Sequence, residues 1–97
     1  MVRMTLACVA LLGTAAHADL YDDVEHLIRN GQYERARFYV KRVNDQPEQL
    51  NSQSLWLALR IERKLGDKVS EAGFAGQLRR RFAGTPEHQA LMQGKYD

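Results

Sequence analysis

Cysteine is almost missing from this chain: the single one, Cys8, sits among the first eighteen residues. Everything from Asp19 onward is therefore without a disulfide or a thiol nucleophile. Proline occurs only at Pro47 and Pro86 and glycine seven times, which indicates neither a long linker nor a disordered tail. No apolar run approaches the roughly 20 residues that a bilayer-crossing helix needs. The net charge is only +2 although the pI is near 8.9, too little to argue for nucleic acid or an anionic membrane.

Chemistry is scarce as well. His17, His26 and His88 are far apart, and no pair of them has the short helical spacing of a metal site. Ser52, Ser54 and Ser70 have neither a glycine elbow nor a plausible His–Asp pairing. Gly73 and Gly76 match neither phosphate-loop nor dinucleotide fingerprint. With no convergent polar set, the residues imply no enzyme, no cofactor and no small-molecule substrate.

What remains is one small domain's worth of ordinary composition: 97 residues, 44% hydrophobic and 27% charged. The first eighteen, "MVRMTLACVALLGTAAHA", carry Arg3, an apolar run from Met4 to Leu12 and small residues at Ala16 and Ala18. That is the layout of a secretory signal peptide cut after Ala18. The competing reading is the remnant of an upstream helix. Cys8 follows "LA" but has almost no apolar stretch before it, so ordinary cleavage is favoured over lipidation.

From Asp19 the pattern is helical throughout. Leu20, Val24, Leu27 and Ile28 recur at helical spacing behind an acidic first turn, and Asn30-Gly31 ends that helix. Tyr33, Ala36, Val40 and Val43 follow at i, i+3, i+7 and i+10, closed by Asn44-Asp45-Gln46-Pro47. "NSQSLWLALRIERKLG" has Asn51, Ser52 or Ser54 as its N-cap and is apolar nearly all round in its first turns, which requires neighbours on more than one side. Phe74, Leu78 and Phe82 mark a fourth helix, which Gly73 and Gly76 weaken by about 1 kcal/mol each. Thr85, Pro86, Glu87 and Gly94 carry both terminal signals of a short fifth helix. The expected boundaries are about 20–30, 33–44, 52–65, 68–82 and 86–93.

Gly31 and Gly66 stand 35 residues apart, each inside a pair of helices. Helix–turn–helix units repeating about every 34 residues are the mark of tetratricopeptide repeats. The fold class is therefore all-α, a tetratricopeptide-like right-handed stack of two helical hairpins plus a short C-terminal capping helix over 19–97. In such a stack Ala36 allows two backbones to approach closely, while Tyr33, Phe38 and Tyr39 fill the grooves beside it. The second unit is degenerate, with Lys68 in the aromatic place and Glu71 in the alanine place.

"GQYERARFYVKRVN", "SLWLALRIERKLGDK", "QLRRRF" and "TPEHQALMQGKYD" together resemble the C-terminal part of the type IV pilus biogenesis and stability proteins of the PilF/PilW type. The "SLWLALRIERKLGD…QLRRRF" run is the specific part of that likeness. The resemblance implies a non-catalytic scaffold for pilus or secretin assembly, with protein partners. It also implies a periplasmic location, in association with the outer membrane, or a cytoplasmic one if 1–18 is not a leader. Family members are longer and lipidated, so this chain departs in lacking the front repeats and a convincing lipobox. A generic periplasmic adaptor for another envelope complex, or a fragment of a longer repeat protein, is the alternative.

Binding in these stacks uses the face lined by the first helix of each unit. Ser52, Leu55, Leu59 and Glu62 share one side of the third helix, with Tyr21 and Glu25 in the equivalent place on the first. Leu55 and Leu59 fit a core equally well. Arg79-Arg80-Arg81 is the densest charge, read either as a contact for an acidic partner or as the solvated face of a helix. Arg35, Arg37, Lys41 and Arg42 are interleaved with aromatics, but those rings have packing duties, so nucleic acid is not expected. Trp56, flanked by leucines, is expected in the core. A two-unit stack leaves its first helix with an uncovered face, so Leu20, Val24 and Leu27 should offer apolar surface for a partner or a second copy.

Overall fold

A computed structural model describes residues 19–97; the leader reading of 1–18, with Cys8 and His17, lies outside the described residues. Five helices account for the regular structure, and no strand occurs among the described residues. They are α1 (19–29), α2 (Tyr33–Asn44), α3 (Ser52–Leu65), α4 (Lys68–Arg81) and α5 (Pro86–Gln93).

The turns explain why each helix stops where it does. After α1 the Gly31 amide bonds Ile28 O and the Gln32 amide bonds Leu27 O, at 3.0 and 2.8 Å. After α3 the Gly66 amide bonds Arg63 O and the Asp67 amide bonds Glu62 O, at 3.3 and 3.0 Å. Both are Schellman closures, in which a left-handed residue lets two amides fold back onto orphan carbonyls. Gly31 and Gly66 supply that residue with φ of 76° and 82°, where a Cβ would be strained. The same bond pattern recurs after α5, where Lys95 N reaches Ala90 O at 2.9 Å.

Helix starts are equally specified. Asn51 caps α3 in a reciprocal box: Ser54 N donates to Asn51 Oδ1 and Asn51 N donates to Ser54 Oγ, both at 2.9 Å. Asp67 caps α4 and Thr85 caps α5, each accepting from the amide three residues on. Of α2 to α5, only α2 opens without a side-chain cap.

Two apolar clusters share α3. In the first, Tyr21, Val24 and Ile28 of α1 and Ala36 and Val40 of α2 meet Leu57, Ala58 and Ile61 of α3. In the second, Leu55 and Leu59 of α3 meet Ala75 and Leu78 of α4, rimmed by Trp56, Phe74, Phe82 and Leu91. The all-round apolarity of this helix thus has partners on both sides. Ala36 is fully buried, as its small size at a close approach requires.

Three packing expectations are corrected. Phe38 does not fill a groove; it is 58% exposed, because it lies two positions from Ala36 and so on the opposite side of α2. It rests edge-on against Tyr39 with the Arg42 guanidinium over its ring. Val24 is completely buried, so the uncovered strip on α1 shrinks to the half-buried Leu20 and Leu27. Trp56 is half-buried rather than enclosed.

Candidate functional site

Laterally, α1, α3 and α5 are tied together on one side of the molecule. Arg60 Nη1 donates to Glu25 Oε2 at 2.7 Å, joining α3 to α1, and Asn51 Nδ2 donates to the Tyr21 hydroxyl at 3.0 Å. Ser52 Oγ donates to Glu87 Oε1 at 2.9 Å, joining α3 to α5. Both Arg60–Glu25 and Ser52–Glu87 connect residues 35 apart in the chain.

On this side α3 presents Trp56, Arg60 and Arg63, which stack at i, i+4 and i+7. Against it lies the segment after α5. The Tyr96 ring stacks on the Trp56 indole with centroids 5.7 Å apart and planes inclined by 21°. The Arg63 guanidinium stands 3.9 Å from the Tyr96 ring centroid, a close cation–π contact. Arg60 Nε donates to the Tyr96 carbonyl at 2.6 Å, so one guanidinium grips both Glu25 and the backbone of residue 96. Next to this seat an open groove of about 560 Å³ is lined by Lys64, Lys68, Glu71 and Asp97 along with Arg60 and Arg63.

A second groove, of about 320 Å³, runs between α2 and α4 over a floor of Val40, Ala58, Ile61 and Phe74. Its rim holds Glu62, which receives Arg37 Nη2 at 2.6 Å and Arg37 Nε at 2.9 Å. That bidentate contact with the Glu62 carboxylate raises the Arg37 pKa above its ordinary value, against the opposing effect of burial. Across the groove Asp67 accepts from the Ser70 amide and, at 2.9 Å, from the Ser70 hydroxyl. Those bonds, the backbone one foremost, pull its carboxyl below the usual aspartate range. Asn44 donates to Ser54 O, while its own Oδ1 is buried with no partner.

The stripe that the sequence spacing selects on α3, Ser52, Leu55, Leu59 and Glu62, is largely covered. Leu55 and Leu59 are wholly buried against α4, so they present nothing to a partner. Glu62 is buried and spent on Arg37, and Tyr21 belongs to the first cluster. The residues that meet the segment after α5 are each the next along: Trp56 after Leu55, Arg60 after Leu59, Arg63 after Glu62. A helix apolar on all sides gives its periodicity no way to choose between these stripes. Ser52 and Glu25 do lie on the shared side, half-buried and already bonded.

Arg79, Arg80 and Arg81 are exposed in the last turn of α4, where the helix dipole favours cations. Arg81 reaches Gln77 and lies over Phe82. Among the described residues no hydrogen bond joins the three to the Arg60 seat. The second basic set is likewise divided, with Arg37 on Glu34 and Glu62 and Lys41 on Asp45.

The sequence reading missed Tyr96 and its partners. The available signal was an aromatic–acidic pair, Tyr96-Asp97, just beyond the helix-stopping Gly94.

Among the described residues no three His, Cys, Asp or Glu side chains converge as metal ligands, and no helix is long and apolar enough to cross a membrane. Comparison with family models, curated proteins and solved structures finds no match.

Proposed function

We propose that this chain is a non-catalytic protein–protein docking scaffold, built as a tetratricopeptide-like stack and serving type IV pilus biogenesis in the periplasm. The observation that carries the stack is a recurrence in space as well as in sequence. The closure at Gly31 is repeated at Gly66, 35 residues on, and the side-chain links Glu25–Arg60 and Ser52–Glu87 have that same separation. A unit laid beside its predecessor with constant offset brings equivalent positions of successive first helices together. The pilus assignment rests on the resemblance of "SLWLALRIERKLGD…QLRRRF", with pilus or secretin components as the partners.

The absence of a catalytic role is part of the proposal, supported by polar groups on the shared face that hold helices to one another. Self-association through α1 has a reduced basis, Leu20 and Leu27 beside Tyr39. The test is a crosslinking pull-down from envelope fractions with the full chain as bait. Recovery of secretin or pilin components is the expected result. Components of a different envelope complex would leave the adaptor and remove the pilus role, and crosslinks only between copies of the chain would sink both.

A further inference from the structure

The Trp56–Arg60–Arg63 seat is made of contacts that recognise a kind of segment rather than one particular residue. Arg60 is mostly buried, its side chain 11% exposed, and is held in place by Glu25. The group it offers Nε to is a backbone carbonyl, which any extended peptide supplies. Trp56 and Arg63 present a flat ring and a planar cation, which together accept an aromatic side chain of any identity.

Beyond the ring the groove is cationic: with Arg60 paired to Glu25, it is lined by Arg63, Lys64 and Lys68 against two acids, Glu71 and Asp97. Glu71 is engaged by Arg63 at 3.1 Å, so Asp97 is the acid still available to answer the lysines. A segment reading aromatic then acidic is what this surface complements.

Residues 95–97 fill that description, held through Tyr96 and the Lys95 amide while both flanking side chains are exposed. α5 contributes no buried residue, and the chain leaves it through Gly94 at a left-handed φ of 68°. Lys95 and Asp97 are exposed and Tyr96 is half-buried.

We propose that the seat is a docking site for an extended peptide of a partner protein in which an aromatic residue precedes an acidic one. Residues 95–97 occupy the site in cis as a competing pseudo-ligand. The proposal rests on the reading of this chain as a docking scaffold and adds the ligand class and its self-competition. A short tether gives the internal segment an effective concentration on the order of millimolar. A free peptide of roughly 100 μM affinity would then bind the occupied site about tenfold more weakly.

The probe is an acetylated and amidated Gly-Lys-Tyr-Asp peptide, titrated into the full chain while Trp56, its only tryptophan, is followed by fluorescence. Tyr96→Ala is expected to bind the peptide saturably, with the unsubstituted chain about tenfold weaker. Adding Arg63→Ala to Tyr96→Ala, or replacing the peptide's tyrosine by alanine, is expected to abolish the signal. A folded Tyr96→Ala chain that ignores the peptide overturns the site, and equal binding by both chains overturns the competition.

Should Tyr96→Ala fail to fold, the unsubstituted chain decides. At saturating peptide its Tyr96 ring resonances must move to free-tyrosine positions, and resonances that stay in place overturn the proposal. A failed titration beside a successful pull-down would remove the peptide site and leave the scaffold standing. Peptide binding beside a failed pull-down would remove only the pilus assignment.

Discussion

Glu62 is a carboxylate 6% exposed in a mainly apolar groove, and both of its oxygens receive Arg37. Taking away one member of such a pair costs more than the pair contributes, because the other is left desolvated and alone. Arg37→Met keeps the apolar stem and is expected to lose roughly 1–3 kcal/mol in urea unfolding. Replacing both residues with methionine should recover most of that loss, since neither charge then remains buried. A double variant as unstable as the single one would show that the stem, not the charge, matters. This pair is separated by 25 residues and no local pattern announces it. Ala36 was legible because a small residue at the centre of an apolar stripe has few other uses. Phe38 is legible too, since its offset from the stripe Tyr33–Ala36–Val40–Val43 points away from the core, yet its aromatic character alone suggests burial. Tyr96 was overlooked because it follows a helix stop and belongs to no periodic run.

At the level of elements, helix identity was the most readable property, since it depends on apolar spacing and on residues with fixed backbone habits. Gly31 and Gly66 take the left-handed turn, Thr85 and Pro86 open α5, and Asn51 with Ser54 opens α3. What spacing could not supply was rotation about the α3 axis, because leucines surround it and only its neighbours decide which stripe is covered. The start of α4 supports a pH prediction. Its cap carboxylate, Asp67, titrates below the usual range because it accepts from Ser70. The stabilisation is complete above the ordinary aspartate value and is lost as pH falls through the lower folded value. Melting temperatures of the unsubstituted chain and Asp67→Asn, followed from neutral pH down to about pH 2.5, should differ most at neutrality and converge in acid. A gap that stays constant across the range would exclude the charged cap as its source.

Across the whole molecule, α3 is the helix that gives fully buried side chains to both apolar clusters, while α1 and α2 serve the first, α4 fills the second, and Phe74 of α4 packs against both. Leu59→Ala empties a completely buried position and is expected to cost roughly 2–5 kcal/mol. A small domain has little more than that to lose, since total stabilities begin near 5 kcal/mol. Circular dichroism should therefore show Leu59→Ala without a sharp thermal transition. Val69→Ala, at a position 85% exposed, should melt within about 0.5 kcal/mol of the unsubstituted chain.

Arg60 joins two stretches that lie at opposite ends of the described chain. Its guanidinium holds Glu25 with one nitrogen and the Tyr96 carbonyl with another. The acceptor is the main-chain oxygen, so a substitution at Tyr96 keeps this bond, whereas lifting residues 95–97 away would free the Nε donor beside the α1 carboxylate. A single planar cation thus fastens the segment after α5 and the first helix to the same point on α3.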